Sequence, residues 1–338
     1  MRGGAVSTWA KVLATFGISI LFFYLFVRDL NFEQVWESIK DADYELVPLA
    51  LLFFAASLVA RTFRWRRFYS PNAPSTELLG STLVITYAAN NLLPLRGGEL
   101  LRAQLLFDRA GVSRMRTFGV ALVERFFDLL IVGTFVIAGE TVTDVGVAFL
   151  GTGLIVTAGG AVGLVIARLT VANRHLPEQI TAISWLPLKD AWRQKLRNWG
   201  EWLVDGFAVL KTWTGVLACL GWTVVAWMLE FTMYWIVAQA FHIDEQFLTI
   251  AFVGAAANLA LSIPSAQGGV GPFQLVAKEA LLKFGVATNT AGAYALALHV
   301  LIVAPVTVVG LLVFLTSVPR YRAVLRAAAE SETTGTVA

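Results

Sequence analysis

Long apolar runs separated by short polar stretches dominate the hydropathy pattern of this chain of 338 residues. A helix that crosses a bilayer needs about 20 mostly apolar residues to span about 30 Å of hydrocarbon. The pattern therefore predicts six transmembrane helices. They cover residues 9–27, 46–60, 117–138, 145–167, 214–241 and 290–315.

Two further apolar regions, residues 77–110 and 248–284, are too long for one membrane helix, and Pro and Gly interrupt each near its middle. Cytoplasmic loops carry an excess of basic residues, so Lys and Arg predict the topology. With a cytoplasmic N-terminus, 19 of the 26 basic residues, Arg61 and Arg64 among them, fall in inner segments. Basic residues then flank region 77–110 at both ends. We expect both interrupted regions to be re-entrant hairpins that enter and leave on one side.

The order of features is repeated in the two halves of the chain. Each interruption has an Asn, an apolar stretch, a Pro and a Gly pair, and the prolines are 170 residues apart. Residues 9–138 and 145–315 form two units of helix, helix, hairpin and helix, followed by a cytoplasmic tail, 316–338. Because each unit would cross the membrane three times, the second unit would be inverted relative to the first, as in transporters whose broken helices meet near the midplane. The alternative is that the two regions are kinked helix pairs that merely pack. The breaks contain Asn91, Pro94, Gly97 and Gly98, and then Asn258, Pro264, Gly268, Gly269 and Gly271.

Two amphipathic stretches lie between the apolar runs. Apolar residues recur every three or four positions at 192–210 and again at 32–39. This period predicts two helices that lie along the membrane interface, the first on the inner side and the second on the outer side.

Composition supports an all-α polytopic membrane protein. Hydrophobic residues make up 57% of the chain, against roughly 45–50% in soluble domains, and charged residues 14%, against roughly 25%. These values exclude a soluble fold, a disordered chain, a disulfide scaffold and a nucleic-acid-binding domain. One cysteine and three histidines far apart in sequence form no metal-ligand pattern. We therefore expect neither a metal nor a cofactor.

Ten ionisable residues lie in apolar context. Each would cost about 2.5–3.5 kcal/mol or more at a helix centre that faced lipid, so we expect them to face the protein interior. They are Arg96, Glu99, Arg102, Glu124, Arg125, Asp128, Glu230, Lys278, Glu279 and His299.

The first break carries the residues expected to bind phosphate. Arg96 and Arg102 flank the pair Gly97 and Gly98 where a half-helix begins, and the glycines would leave backbone N–H groups open. A helix N-terminus with two guanidiniums suits a phosphate, because the helix dipole and the planar donors both favour an oxyanion. The alternative is an ion pair between Arg102 and Glu99 within the helix, and the two interpretations can coexist.

The acidic residues form a second candidate group. Glu124 and Asp128 are four residues apart on one helix face, so both should be ionised only with a cation between them. Arg102 and Arg125 are the candidates for that cation, and the group is either a structural ion pair or a proton-coupling site. The sequence offers no partner for Glu230. The residues of the predicted polar core or coupling group are Glu99, Glu124, Arg125, Asp128, Glu230 and His299.

Four short motifs occur along the chain. They are Ala-Arg-Thr-Phe-Arg-Trp at 60–65, Leu-Pro-Leu-Arg-Gly-Gly-Glu-Leu-Leu-Arg at 93–102, Glu-Arg-Phe-Phe-Asp at 124–128, and Pro264 followed by Gly-Gly-Val-Gly at 268–271. Over residues 9–318 the chain resembles the transmembrane family of lysylphosphatidylglycerol synthetase. The resemblance implies a flippase-like domain, similar to the part of multiple peptide resistance factor that moves aminoacylated phosphatidylglycerol between leaflets. It also implies a polar core of Arg96, Arg102, Glu124, Arg125 and Asp128.

The chain departs from the family pattern in two ways. Position 274 is Gln, where the resemblance leads us to expect an acid. No aminoacyl-transferase domain is present, so we expect that the chain does not itself make an aminoacyl lipid.

These observations predict a lipid flippase-like transporter in the cell membrane, with both termini in the cytoplasm. Its substrate would be an anionic or aminoacylated phospholipid or a prenyl-phosphate-linked lipid. Two alternatives are an integral-membrane lipid-linked glycosyl- or aminoacyl-transferase and a small-solute or ion transporter. The expected partners are membrane lipids, with a separate lipid-modifying enzyme as the candidate protein partner, and we do not expect the chain to be an enzyme.

Overall fold

The computed structural model describes residues 3–93, 97–143, 147–173, 190–261 and 267–334, and in these ranges it contains helices and no strand. Short 3₁₀ turns occur at Tyr44–Leu46, Ala208–Lys211 and Gln267–Gly269. The helices, in chain order, are α1 Gly3–Val27, α2 Phe32–Lys40, α3 Val47–Phe68, α4 Thr76–Leu92, α5 Gly98–Ala110, α6 Arg114–Thr143, α7 Val147–Ala172, α8 Asp190–Asp205, α9 Trp213–Ala240, α10 Phe247–Ala260, α11 Pro272–Lys283 and α12 Thr288–Thr334.

Several of these helices are long and apolar enough to cross a bilayer. Four segments of the described chain meet this requirement, and a fifth does so if α1 and α2, which are inclined by 80°, count as one bent span. The predicted class of helical protein with several apolar spans is therefore confirmed. The predicted number of six is not reached. The predicted span 117–138 lies within α6, contains three charged residues and is not among the qualifying segments. The four segments are Tyr44–Phe68, Phe149–Ala172, Trp213–Ala240 and Thr288–Ser317.

Each of the two interrupted regions is a pair of short helices, α4 with α5 and α10 with α11. Pro94, Arg96 and Pro264, predicted to lie at the breaks, are outside the described residues. In the second break, Gly268 and Gly269 have φ values of 70° and 73°, in the left-handed region that glycine adopts without a steric penalty. The predicted breaks are therefore present, and their re-entrant course through a membrane stays a prediction.

The helices pack in a small number of extended pairs. α3 packs along α9, α12 along α4, and α6 along both α7 and α10. Glycines allow some of the closest approaches: a Cβ atom at Gly206, just after α8, would lie 2.7 Å from the Cα atom of Gly119 in α6. The packed helices enclose two apolar clusters, one centred on α9–α12 and one where α3 to α9 meet.

The amphipathic stretches are helical as predicted, as α2 and α8. The end of the stretch at 192–210 does not lie only on a surface, however. Phe207 and Leu210 are buried in an apolar cluster, and Arg168 of α7 donates to the Leu210 carbonyl at 2.5 Å. α12 continues without a break to Thr334, so the described part of the predicted tail 316–338 is helical.

Candidate functional site

A cavity of about 270 Å³ lies among α3, α4, α5, α6, α9, α10 and α12. Most of the residues predicted from their apolar context line it. Apolar side chains such as Phe54 and Val132 form other parts of the lining. The polar lining includes Arg61, Thr86, Tyr87, Asn90, Asn91, Glu99, Arg102, Glu124, Arg125, Asp128, Glu230 and Asn258.

Arg64 of α3 lies between the two carboxylates of α6. Its Nη1 donates to Asp128 Oδ1 at 2.6 Å, and its Nη2 forms a short ion pair with Glu124 Oε1. The side chain of Arg64 is 0% exposed. The prediction that Arg102 or Arg125 would separate these acids is wrong, because the long side chain of Arg64 reaches across from another helix to contact both.

Arg102 of α5 joins the same cluster. Its Nη1 donates to Glu124 Oε2 at 3.0 Å and lies 3.5 Å from Glu99 Oε2, and its guanidinium carbon lies 3.6 Å from the centre of the Trp65 ring. The side chain is 1% exposed, yet Nε and Nη2 have no hydrogen-bond partner among the described residues. A buried donor without a partner costs about 1–3 kcal/mol. The Nε–H and the Nη2 amino group of Arg102 are therefore unsatisfied donors among the described residues, on a side chain that lines the cavity.

Two indole rings orient the carboxylates of α6. Trp65 Nε1 donates to Glu124 Oε1 at 2.8 Å, and Trp227 Nε1 donates to Asp128 Oδ1 at 3.0 Å. Each carboxylate thus accepts from both a guanidinium and an indole. These charge-assisted bonds hold both acids in fixed positions beside the cavity.

A second buried ion pair connects α3 to α9. Arg61 Nη2 lies 2.5 Å from Glu230 Oε2, and the other oxygen of Glu230 accepts from the Tyr234 hydroxyl at 2.6 Å. That hydroxyl accepts in turn from Asn258 Nδ2 of α10 at 3.0 Å. Glu230, which has no evident partner in the sequence, is therefore at the centre of a chain of polar contacts.

The first break differs from the expected phosphate site. Gly97 is the N-cap of α5, but Gly98 is buried and its N–H donates to Asn90 Oδ1 at 3.0 Å. The expectation of an open amide at Gly98 is therefore wrong, because the end of α4 supplies an acceptor for it. A phosphate site at this break stays a prediction that depends on Arg96, Gly97 and Arg102.

Parts of the two breaks meet beside the cavity. A Cβ atom at Gly268 would lie 3.9 Å from the carbonyl oxygen of Asn91. Asn91 and Asn258, predicted to lie in the breaks, are instead in the last turns of α4 and α10, and both line the cavity. Residues from both interrupted regions therefore contribute to one site.

His299 does not join the charged cluster. Its Nε2 contacts the Gly268 carbonyl at 2.8 Å, and its Nδ1 contacts Gln274 Nε2 at 2.7 Å. Because the carbonyl can only accept, Nε2 carries the proton and Nδ1 accepts from Gln274. The other end of that amide accepts from the Gly271 N–H at 2.8 Å. The described contacts of His299 thus brace the second break, with Gln274 supplying both a donor and an acceptor.

Lys278 and Glu279 lie outside the cavity. Lys278 is buried, and its Nζ donates to the carbonyl of Phe26 in the last turn of α1 at 3.1 Å. The same nitrogen lies 3.3 Å from Oε1 of Glu279, whose side chain is 51% exposed and does not face the interior as expected. This lysine therefore satisfies a carbonyl at the end of α1.

Within the described residues, the cluster contains four arginines and four acids, so its formal charges balance. Buried ions are costly unless they are paired and hydrogen-bonded, and here each acid has a basic partner. Arg125 is the most exposed of the arginines, at 54%, and its only ion pair among the described residues is with Glu99 at 3.5 Å. No group of three His, Cys, Asp or Glu side chains in the described ranges could hold a metal ion. The four arginines are Arg61, Arg64, Arg102 and Arg125, and the four acids are Glu99, Glu124, Asp128 and Glu230.

Sequence reasoning missed the roles of Arg61 and Arg64. The hydropathy pattern assigns both to a basic inner segment, because the second apolar run ends at Ala60. The structure instead continues α3 to Phe68 and buries both arginines. The signal that could have identified them is their spacing of three in the motif 60–65, which places them one helical turn apart beside Trp65.

Comparison with known proteins agrees with the resemblance seen in the motifs. The family described as "Lysylphosphatidylglycerol synthase TM region" matches residues 12–310. A UPF0104 membrane protein from Methanothermobacter thermautotrophicus is 25% identical over 294 residues, which cover 83% of this chain and 86% of the relative. No solved structure matches the chain. With a match over most of its length and several helices apolar enough to cross a bilayer, the chain belongs to the lysylphosphatidylglycerol synthase TM-region family and is an integral membrane protein.

Proposed function

We propose that this protein is a flippase-like transporter that moves an anionic or aminoacylated phospholipid, or a prenyl-phosphate-linked lipid, between leaflets. The observation that carries the proposal is the mixed lining of the cavity. Charged side chains from α3, α5, α6 and α9 form one part, and apolar side chains such as Phe54, Val132, Leu259 and Ile302 form another. A lipid has the same two parts, since its headgroup is charged and its chains are apolar. This match favours a lipid over a small solute or ion.

The buried arginines supply the chemistry that a headgroup needs. A phosphate that crosses the bilayer must exchange its hydration for fixed donors. Most guanidinium groups of the cluster are occupied by acids, but Arg102 keeps two N–H groups without a described partner beside the cavity. Arg96 would add a second guanidinium from the first break. We therefore assign the phosphate to this end of the cavity.

We further propose that the two units form an inverted repeat. The order of elements supports this, since α1–α6 and α7–α12 both consist of a long helix, a short helix, a long helix, a broken pair and a long helix. The packing supports it too. A Cβ atom at Gly139 of α6 would collide with Phe252 of α10, and one at Gly310 of α12 would collide with Val84 and Ala88 of α4. The two glycines are 171 residues apart, as are Gly97 and Gly268 in the breaks.

In this proposal the pairs α4–α5 and α10–α11 are re-entrant hairpins that open to opposite sides. Both termini are cytoplasmic, and the protein resides in the cell membrane. The protein itself is not an enzyme, and a separate lipid-modifying enzyme acts on the transported lipid. The distribution of basic residues supports the orientation, and the family name, which refers to a lipid synthase, supports the link to lipid modification.

A scrambling assay in proteoliposomes tests the transport proposal. Wild-type protein should move a phosphatidylglycerol with a fluorescent acyl chain between leaflets, measured by chemical bleaching of the outer leaflet. Arg102→Lys keeps a charge for Glu124 but lacks the two free N–H groups. Each charge-assisted bond is worth about 1.5–3 kcal/mol, so headgroup binding should weaken about 10- to 150-fold. Arg114→Lys is the matched control and should behave like the wild type, because Arg114 is exposed and does not line the cavity.

Two outcomes would contradict the proposal. Wild-type protein that exchanges lipid no faster than protein-free liposomes would refute transport. Turnover on a lipid-linked sugar or an aminoacyl donor, abolished by Glu124→Gln, would establish the transferase alternative instead. We expect no such turnover.

A further inference from the structure

A cleft of about 580 Å³ lies apart from the cavity described above, where α3 ends and the chain turns towards α4. Arg66 and Arg67 of the last turn of α3 line it, together with Ser70 from the turn that follows. Trp222 of α9 and Phe63 of α3 form an aromatic wall, with ring centres 5.2 Å apart and planes inclined by 21°. None of these residues belongs to the charged cluster described above.

The charge of this cleft is not balanced. Its lining within the described chain holds two guanidiniums and no carboxylate. Arg66 Nη1 donates to Thr76 Oγ1 of α4 at 3.2 Å, which orients this side chain. Neither arginine forms an ion pair with a described residue, and both are exposed. In contrast to the cavity, where arginines and acids match, the cleft presents unpaired positive charge that would attract an anion.

The cleft continues into an apolar surface. Phe63, Val59 and Leu52 are exposed and lie at spacings of four and seven on one face of α3. Val225 is exposed one turn along α9 from Trp222. Both helices are long and apolar enough to cross a bilayer. Tryptophan is enriched where such helices leave the hydrocarbon region. The arginines therefore lie at the end of a surface suited to acyl chains.

We propose that this cleft binds the phosphate of an anionic phospholipid, whose chains lie along the exposed apolar side chains of α3 and α9. Guanidinium groups match phosphate oxygens as paired donors, and anionic lipids are attracted to basic segments beside a membrane helix. Basic residues in a last helical turn also complement the helix dipole. Complementing the helix dipole would not, however, require the open cleft or the aromatic wall that are found beside these arginines. The apolar continuation favours a lipid over free phosphate as the source of the anion.

A fluorophore in the cleft provides a local test. Ser70→Cys, labelled with bimane in detergent, reports occupancy of the cleft, since the native Cys219 is buried. Short-chain phosphatidylglycerol should give a saturable change in fluorescence. Phosphatidylcholine of the same chain length and inorganic phosphate should bind at least tenfold more weakly. Adding Arg66→Gln with Arg67→Gln should raise the Kd for phosphatidylglycerol at least tenfold.

The matched control is Arg109→Gln with Arg114→Gln, which removes the same charge elsewhere and should leave the Kd within twofold. An unchanged Kd in the Arg66 and Arg67 variant, or an equal rise in the control, would overturn the proposal. Equal binding of phosphatidylcholine, or binding of inorganic phosphate as tight as that of phosphatidylglycerol, would do the same. Unfolding midpoints show whether each variant folds. Arg102→Lys should leave this Kd unchanged, so the proposal for the cleft and the proposal for the transport cavity are tested independently.

Discussion

At the scale of single residues, buried arginines organise the interior of this protein. Arg64 contacts two acids that lie four residues apart on α6, and Arg61 contacts Glu230 on α9. A lone ion in such surroundings is expensive, whereas a paired and hydrogen-bonded ion is tolerated. The cluster is therefore interdependent: loss of Arg64 removes the basic partner of Asp128, and loss of Arg61 removes that of Glu230.

Arg64→Met tests this dependence, because it keeps the length of the side chain and removes the charge. Breaking a buried ion pair by removing one partner costs about 3–5 kcal/mol. We expect a clear fall in the unfolding midpoint in detergent. Arg125→Met is the control and should change stability by about 1 kcal/mol or less, since its ion pair is exposed. Equal midpoints for the two variants would show that the Arg64 pairs do not stabilise the fold.

At the scale of elements, the contact between α4 and α5 depends on a glycine. A Cβ atom at Gly98 would collide with the Thr86 carbonyl and with the side chain of Asn90. The same Asn90 accepts from the Gly98 N–H. The first break is therefore a packed joint between two helices, and a bulkier residue at Gly98 should disturb the fold before it blocks any ligand.

Gly98→Ala should lower the unfolding midpoint, although alanine favours helices over glycine by about 1 kcal/mol. Gly151→Ala is the matched control, because a Cβ atom at this α7 position meets nothing within 4 Å. The control should be neutral or slightly stabilising. If Gly98→Ala were as stable as Gly151→Ala but inactive in lipid scrambling, open space for a ligand, and not helix packing, would be the reason for the glycine.

At the scale of the whole molecule, polar contacts join the two proposed units. Arg61 pairs with Glu230, Trp227 donates to Asp128, and Asn91 approaches Gly268 across the breaks. Each of these contacts connects a residue before position 138 to one after position 145. A conformational change that alters access to the cavity would therefore have to preserve these contacts or replace them with others.

The orientation of the molecule can be tested by cysteine labelling in intact cells. We expect a cysteine at Asp41, just after α2, to react with a membrane-impermeant maleimide, and a cysteine at position 193 to be protected until the cells are opened. Asp41 is exposed, and the native Cys219 is buried and should give little background. Labelling of 193 without labelling of 41 would contradict the cytoplasmic termini and the inverted repeat built on them.

The sequence by itself determined the helical membrane class, the family and the places where two apolar regions break. These features depend on local chemistry: the length of apolar runs, the period of amphipathic stretches, and Pro and Gly where a helix must end. The sequence also identified most of the charged lining, because a charge in an apolar run is too costly to face lipid.

Only the tertiary structure decided which charges meet. Arg64 is 60 residues from Glu124 in sequence, and Arg61 is 169 residues from Glu230, so no local pattern could pair them. Their partners are set by which helices pack together and by how far each side chain reaches. The end of α3 was likewise decided by packing: burial against acids and aromatic rings makes it favourable for two arginines to extend a helix that hydropathy alone would have ended at Ala60.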